Sequence, residues 1–323
     1  MLNEVSIEII NKCLNKCVHC SSSSTLESPE IMPFSLLESV ISGLSSLGVK
    51  EISLSGGEPL LHPDITEIVQ CATKHNIMIN IYSCGIIYTK DRFESISIKG
   101  FGILKNAGLS RIMFNLQAAN ERIYDEISDT KGFFPLVIQS IRNSVIAELP
   151  TEIHFVPMKI NKGEISNIIK FGEQENIDQV SFLKLVPHGR ARVNTKRIML
   201  DESEDLSVQK ELFNSKEKGA RIRIGIPYST KDNCSTCHAI RKKLYIRYDG
   251  CVFGCEAFKY IDFGGEDGNP ILPDNVYSTS IEEIVNGSLY LNKSKELVDR
   301  YVLVKSKAEN CPVQKYLKEM RMK

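Results

Sequence analysis

The sequence predicts an α/β fold: a parallel sheet of six strand–helix units followed by a small cysteine-rich C-terminal module. Runs rich in β-branched residues alternate with segments that carry apolar residues at three-to-four spacing, and such alternation builds parallel sheets. Two motifs of ligand-binding composition fall just past strand ends, where parallel α/β proteins place their sites. From Lys231 onward the character changes, with clustered cysteines and many Gly, Pro and Asp turns. The expected division is therefore residues 1–200 and residues 201–323.

Strand-like runs occupy residues 5–10, 51–54, 77–82, 110–116, 152–156 and 179–185. Each is short and β-branched, as a strand covered on both faces should be. Helix-like segments at 34–47, 65–75, 133–147 and 164–175 lie between them. Residues 201–218 are highly charged and read as a solvated helix, and 221–226 alternate as an edge strand would. In the second module, residues 243–248 alternate, a turn follows at Asp249-Gly250, and 281–286 and 289–303 are helix-like.

Composition narrows the class. An apolar content of 42% over 323 residues supports a sizeable core. Lys+Arg and Asp+Glu balance at 40 each, so no basic field favours nucleic acid or an anionic membrane. No apolar run approaches the roughly 18 residues of a membrane span, and the first residues lack a signal-peptide pattern. Ten cysteines in a chain read as cytoplasmic suggest metal ligands or redox chemistry, not disulfides.

Cys13, Cys17 and Cys20 are spaced C-x3-C-x2-C directly after the first strand. Three thiolates on a short loop can hold three corners of an iron–sulfur cube and leave the fourth iron open. A zinc knuckle with His19 or a remote fourth ligand uses the same residues. Ser55-Gly56-Gly57-Glu58-Pro59, at the end of the second strand, decides between them. Paired glycines allow close backbone approach, and Glu58 supplies a carboxylate beside them.

Together the two motifs resemble those of the radical S-adenosylmethionine (radical SAM) enzymes, which adopt a partial (β/α)6 barrel. The resemblance implies a [4Fe–4S] cluster on Cys13, Cys17 and Cys20. It also implies S-adenosylmethionine bound through its amino group at Gly56, Gly57 and Glu58. Reductive cleavage would give a 5′-deoxyadenosyl radical that abstracts a substrate hydrogen atom. A flavodoxin- or ferredoxin-type donor would supply the electron.

The second cysteine group is Cys234, Cys237, Cys251, Cys255 and Cys311. It resembles the first part of the SPASM/Twitch extension of this family, where a β-hairpin gathers cysteines onto an auxiliary [4Fe–4S] cluster. Full extensions carry a further dense cysteine block, whereas this chain has Cys311 alone there. One auxiliary cluster on Cys234, Cys237, Cys255 and Cys311 is the expectation, with a structural zinc site as the alternative. Cys251 is left over, as a hydrogen-atom donor or a substitute for Cys234.

Other residues fall on the expected site face. Cys84, where relatives commonly carry Asn before Gly, is either a hydrogen-atom donor or a turn residue. Cys71 reads as a buried apolar side chain. Gln117 and Asn161 are candidates for the adenosyl and ribose contacts. Arg190 suits a carboxylate or a helix cap, and the role of His188 is open.

The expected substrate is a peptide undergoing maturation by epimerisation, crosslinking or side-chain oxidation. A sugar- or aminocyclitol-modifying dehydrogenase or epimerase is the alternative. Because the chain starts almost at its first strand, leader-peptide binding would need a separate protein.

Overall fold

A computed structural model describes residues 2–225, 228, 237–265, 269–302 and 311–321. Cys234, an expected cluster ligand, lies outside the described residues.

The strands are β1 (Glu4–Ile10), β2 (Glu51–Gly56), β3 (Met78–Ser83), β4 (Ile86–Thr89), β5 (Arg92–Ser95), β6 (Leu109–Asn115), β7 (Thr151–Phe155), β8 (Gln179–Phe182), β9 (Ile222–Ile224), β10 (Lys243–Ile246) and β11 (Val252–Phe253). Among the described residues, nine of them form one sheet in the order β11-β10-β1-β2-β3-β6-β7-β8-β9. Every neighbouring pair is parallel except β10 with β11. All six expected strands are present, and β9 extends the far edge.

Helices α1 (Phe34–Ser46), α2 (Ile65–Lys74), α3 (Ile98–Ala107), α4 (Glu121–Ser128), α5 (Phe134–Ile146) and α6 (Ile165–Gln174) connect the barrel strands. Short helices α7 (Gly189–Val193) and α8 (Thr195–Ile198) follow β8 and lead to α9 (Glu202–Glu217). The C-terminal part adds α10 (Ile281–Gly287), α11 (Leu289–Val302) and α12 (Pro312–Arg321). No helix among the described residues is long and apolar enough to cross a membrane.

The strand alternation separates two environments. Val5, Ile7 and Ile9 of β1 are fully buried on one face, with Ile52, Leu54, Ile79 and Ile81 beside them in the apolar core. The intervening residues, Ser6, Glu8, Ser53, Asn80, Glu152, His154 and Ser181, are buried as well, so the inner face is polar. Charged and amide groups along this face are paired, because an unpaired buried polar atom is costly. Lys243 Nζ meets Glu4 at 2.7 Å, Asn80 Nδ2 donates to Glu51 at 2.6 Å, and Arg111 meets Glu152 at 3.3 Å.

Several features escaped the sequence reading, among them helices α4, α7, α8 and α12. A β4–β5 hairpin follows β3, turning through Lys90 and Asp91 at φ of 48° and 61°. Such left-handed turns are usually marked by Asn-Gly, and Lys-Asp gives little signal. Helix α3 contains Gly100 and Gly102, which lower its propensity; Ser97 Oγ caps it by accepting from the Gly100 amide.

The expected hairpin around Gly250 is present, with Tyr245 opposite Phe253 and Gly250 at φ +87°. Its first strand does more than fold back. It pairs in parallel with β1, setting Glu4 opposite Lys243 and Ile7 opposite Ile246, so the C-terminal part is built onto the barrel sheet.

Candidate functional site

The cysteine loop leaves the C-terminal end of β1 and is pinned by its backbone. The Cys13 amide donates to Thr25 O at 2.9 Å, Val18 to Ile127 O at 2.8 Å, and Cys20 to Cys17 O at 3.1 Å. Burial pushes the Cys17 thiol well up, and the neighbouring Cys13 and Cys20 add to the effect. The Cys13 thiol is lowered, chiefly by a hydrogen bond with Cys84. Cys17 therefore lies close to both Cys13 and Cys20. No three His, Cys, Asp or Glu side chains among the described residues converge on a single metal position.

The Gly-Gly-Glu segment lies against the root of this loop. The Gly57 amide donates to Ile10 O at 2.7 Å, and the Glu58 amide to Lys12 O at 2.8 Å. A Cβ on Gly56 would stand 2.1 Å from Ile10 O, and one on Gly57 2.1 Å from Lys12 O. Gly56 also adopts φ +131°. Only glycine permits this contact, so the pair fixes the spacing between the two motifs.

Glu58 is fully buried. Its Oε1 accepts from Ser83 Oγ at 2.9 Å and the Leu60 amide at 3.1 Å, and its Oε2 from the Cys84 amide at 2.6 Å. Burial raises its pKa, while the hydrogen bonds from Cys84, Leu60 and Ser83 oppose the rise. Cys84 thus stands between Glu58 and Cys13, at the cluster end of the barrel, and its thiol is pushed well up by the bond to Cys13 and by burial. Cys71 is buried on α2, within the apolar core.

Gln117 and Asn161 are buried and spend their polar atoms on the chain itself. Gln117 Nε2 donates to His154 O at 3.1 Å, and its Oε1 accepts from the Val156 amide at 2.7 Å. Asn161 Nδ2 donates to Gln117 O and Val156 O, and its Oδ1 accepts from the Met158 amide at 2.6 Å. Both shape the strand-end loops. Arg190 is committed in the same way: Nε donates to Cys17 O at 2.9 Å and a terminal nitrogen to Ser24 O at 2.8 Å. Its own amide donates to Cys20 O at 2.9 Å. The guanidinium therefore clasps the cysteine loop.

His188 Nε2 lies 2.8 Å from Ala257 O. His19 lies within the loop, its pKa lowered to about 4 by burial against an opposing hydrogen bond with Asn115. Its Nδ1 is buried without a partner.

In the C-terminal part, Cys237, Cys255 and Cys311 act on one another. Burial raises the Cys255 thiol, with Cys311 and Cys237 adding to it, and Cys311 in turn feels Cys237. Cys251 stands apart, its thiol 3.5 Å from Asp249 Oδ2 and 3.6 Å from Asn275 Nδ2. The sequence reading passed over Glu8, Ser21, Ser22, Glu256 and Lys259, which connect the two cysteine regions. A lone carboxylate in the strand Val-Ser-Ile-Glu-Ile-Ile was the available signal.

Three clustered thiols past the first strand, a glycine pair against their loop and a buried carboxylate beside them are what an α/β-barrel iron–sulfur protein would need. Residues 7–172 match the radical SAM superfamily model, and the chain belongs to that family. Its relatives carry different activities. It is 28% identical over 259 residues to a GTP 3′,8-cyclase of Clostridium botulinum, covering 74% of this chain and 78% of the relative. It is 26% identical over 204 residues to an AdoMet-dependent heme synthase of Methanosarcina barkeri, covering 63% and 54%.

Among solved structures, Streptococcus suis SuiB bound to S-adenosylmethionine superposes with a TM-score of 0.71 at 16% identity, over 92% of this chain and 68% of that one. The enzyme anSMEcpe with bound AdoMet gives 0.69 at 14%, over 99% and 96%. These likenesses establish the partial-barrel fold. Membership implies a [4Fe–4S] cluster and S-adenosylmethionine, and the thiols and glycine pair fit that use.

Proposed function

We propose that this chain is a peptide-modifying radical SAM enzyme. Cys13, Cys17 and Cys20 would hold the cluster, and Gly56, Gly57 and Glu58 would receive S-adenosylmethionine. When bound, this pair supplies a carbon-centred radical able to take a hydrogen atom from an unactivated carbon. The chain's own residues position and exclude water. Gly56 and Gly57 fix the approach, Arg190 holds the cysteine loop, and Gln117 and Asn161 brace the loops at the barrel mouth. Cys237, Cys255 and Cys311, with Cys234 as expected fourth ligand, would form an auxiliary cluster that binds substrate or takes an electron. Cys84 and Cys251 are the candidate hydrogen-atom donors.

What supports the peptide reading is the fold likeness to SuiB and anSMEcpe over most of this chain. SuiB has also been solved with its precursor peptide, and anSMEcpe with a peptide. The similarity to GTP 3′,8-cyclases favours the second reading, a small-molecule enzyme acting on a sugar, aminocyclitol or other metabolite. A reduced flavodoxin or ferredoxin would serve as donor in either case.

The test is incubation of anaerobically reconstituted protein with reductant, S-adenosylmethionine and candidate peptides or metabolites in deuterated water. A gain of about one mass unit from fixed solvent deuterium in a peptide indicates epimerisation, and loss of two hydrogens indicates oxidation or crosslinking. Modification of a metabolite and of no peptide overturns the favoured reading. Cys13, Cys17 and Cys20 replaced together by alanine should lose about half of roughly eight irons and all 5′-deoxyadenosine formation.

A further inference from the structure

The cysteine loop is held from the far end of the chain. Lys259 lies four residues after Cys255, and its side chain is completely buried. Its Nζ donates to Glu8 Oε1 at 2.7 Å, Ser22 Oγ at 2.7 Å and Ser21 Oγ at 3.4 Å, which uses all three of its protons. It also stands 4.8 Å from the centre of the Tyr245 ring. Ser22 Oγ donates to the same Glu8 oxygen. Glu8 Oε2 is buried with no partner, so Lys259 is the cation that balances this carboxylate.

The next residues tighten the contact. Ser21 Oγ donates to Glu256 Oε1 at 2.8 Å, and Tyr260 Oη donates to Ser21 O at 3.4 Å. Ser21 directly follows Cys20 and Glu256 directly follows Cys255. One hydrogen bond therefore spans the two cysteine regions.

We propose that Lys259 is a positioning residue for the first cluster: from the C-terminal part it fixes Ser21 and Ser22 beside Cys20, and with Glu8 it sets the local charge that the cluster feels. The proposal rests on the assignment of Cys13, Cys17 and Cys20 to a cluster. Burial disfavours the lysine's charge, but Glu8 and Glu256 outweigh it and hold its pKa above the ordinary range. Reduction adds an electron to the cluster. An unbalanced cation nearby favours the reduced state and raises the potential, and an unbalanced carboxylate lowers it.

The experiment is an EPR-monitored redox titration of the full-length reconstituted protein, following the signal that responds to S-adenosylmethionine. Glu8→Gln is measured at about pH 6 and Lys259→Met at about pH 9, each against wild type, so that the remaining partner stays charged. Glu8→Gln should shift the potential upward, Lys259→Met downward, and the double variant should return it close to wild type. If either single variant fails to retain the first cluster, restored iron in the neutral double variant supports the same conclusion. Unchanged potentials, shifts of one sign, or iron loss that the double variant does not restore overturn it. Failure of the cluster assignment is distinct, because wild-type protein would then show no such signal.

Discussion

The Cys84 amide donates a 2.6 Å hydrogen bond to Glu58 Oε2, tying the end of β3 to the carboxylate that follows the glycine pair. The carboxylate is thus oriented from three sides before any ligand arrives, by Cys84, Ser83 and Leu60. Preorganisation of this kind removes an ordering cost from binding.

Glu58→Gln should keep the clusters and weaken S-adenosylmethionine binding by about 10- to 150-fold, the loss of one charge-assisted hydrogen bond worth roughly 1.5–3 kcal/mol. Equilibrium binding to the reconstituted protein measures it. Unchanged affinity would mean that the ammonium is held elsewhere.

Arg190→Met should loosen the cysteine loop, because two charge-assisted bonds to Cys17 O and Ser24 O disappear. At roughly 1.5–3 kcal/mol each, first-cluster iron should be lost on dilution or mild chelation. S-adenosylmethionine affinity of the fraction that stays loaded should not change. A large affinity loss with full iron would instead make Arg190 a carboxylate-binding residue.

Cys255→Ala should remove the second cluster and leave the first able to form 5′-deoxyadenosine. Cys251→Ala should retain both, since its thiol faces Asp249 and Asn275. Iron content and product analysis separate the cases. Turnover blocked in Cys251→Ala with both clusters intact would identify a hydrogen-atom donor. One zinc and about four irons in wild-type protein would replace the second cluster with a structural site.

Inside the barrel, burial raises the Glu152 carboxyl. Hydrogen bonds with His154 and Ser181 and the charge of Arg223 outweigh it, lowering the pKa from 4.5 to about 2. A carboxyl lowered on folding adds stability above its unfolded value and loses it as pH falls towards its folded one. Wild-type Tm should therefore drop between about pH 4.5 and 2 more steeply than that of Glu152→Gln. Parallel Tm curves would show that this residue does not govern the acid limb.

Much of the barrel was legible because its signals are local. β1 alternates Val5, Ile7 and Ile9 with polar residues, and both ligand motifs sit at strand ends. The use of Arg190 was not legible, since a guanidinium gives no sequence clue that it will cap backbone carbonyls more than 160 positions earlier. Nor was Lys259, whose partner Glu8 is 251 positions away. The β4–β5 turn and the glycine-containing α3 were hidden because their residues carry weak local preferences.

The pairing of β10 with β1 also bears on how the protein is made. Glu4 and Lys243 are 239 positions apart, so β1 waits for a long stretch of nascent chain before its outer edge is covered. Until then β1 offers unpaired backbone groups and a carboxylate at Glu8 without its countercharge. Long-range parallel pairing closes slowly, and open edges recruit other chains. Vectorial synthesis thus leaves the cysteine loop unfinished until Lys243 and Lys259 have been made, which delays its competence for metal loading.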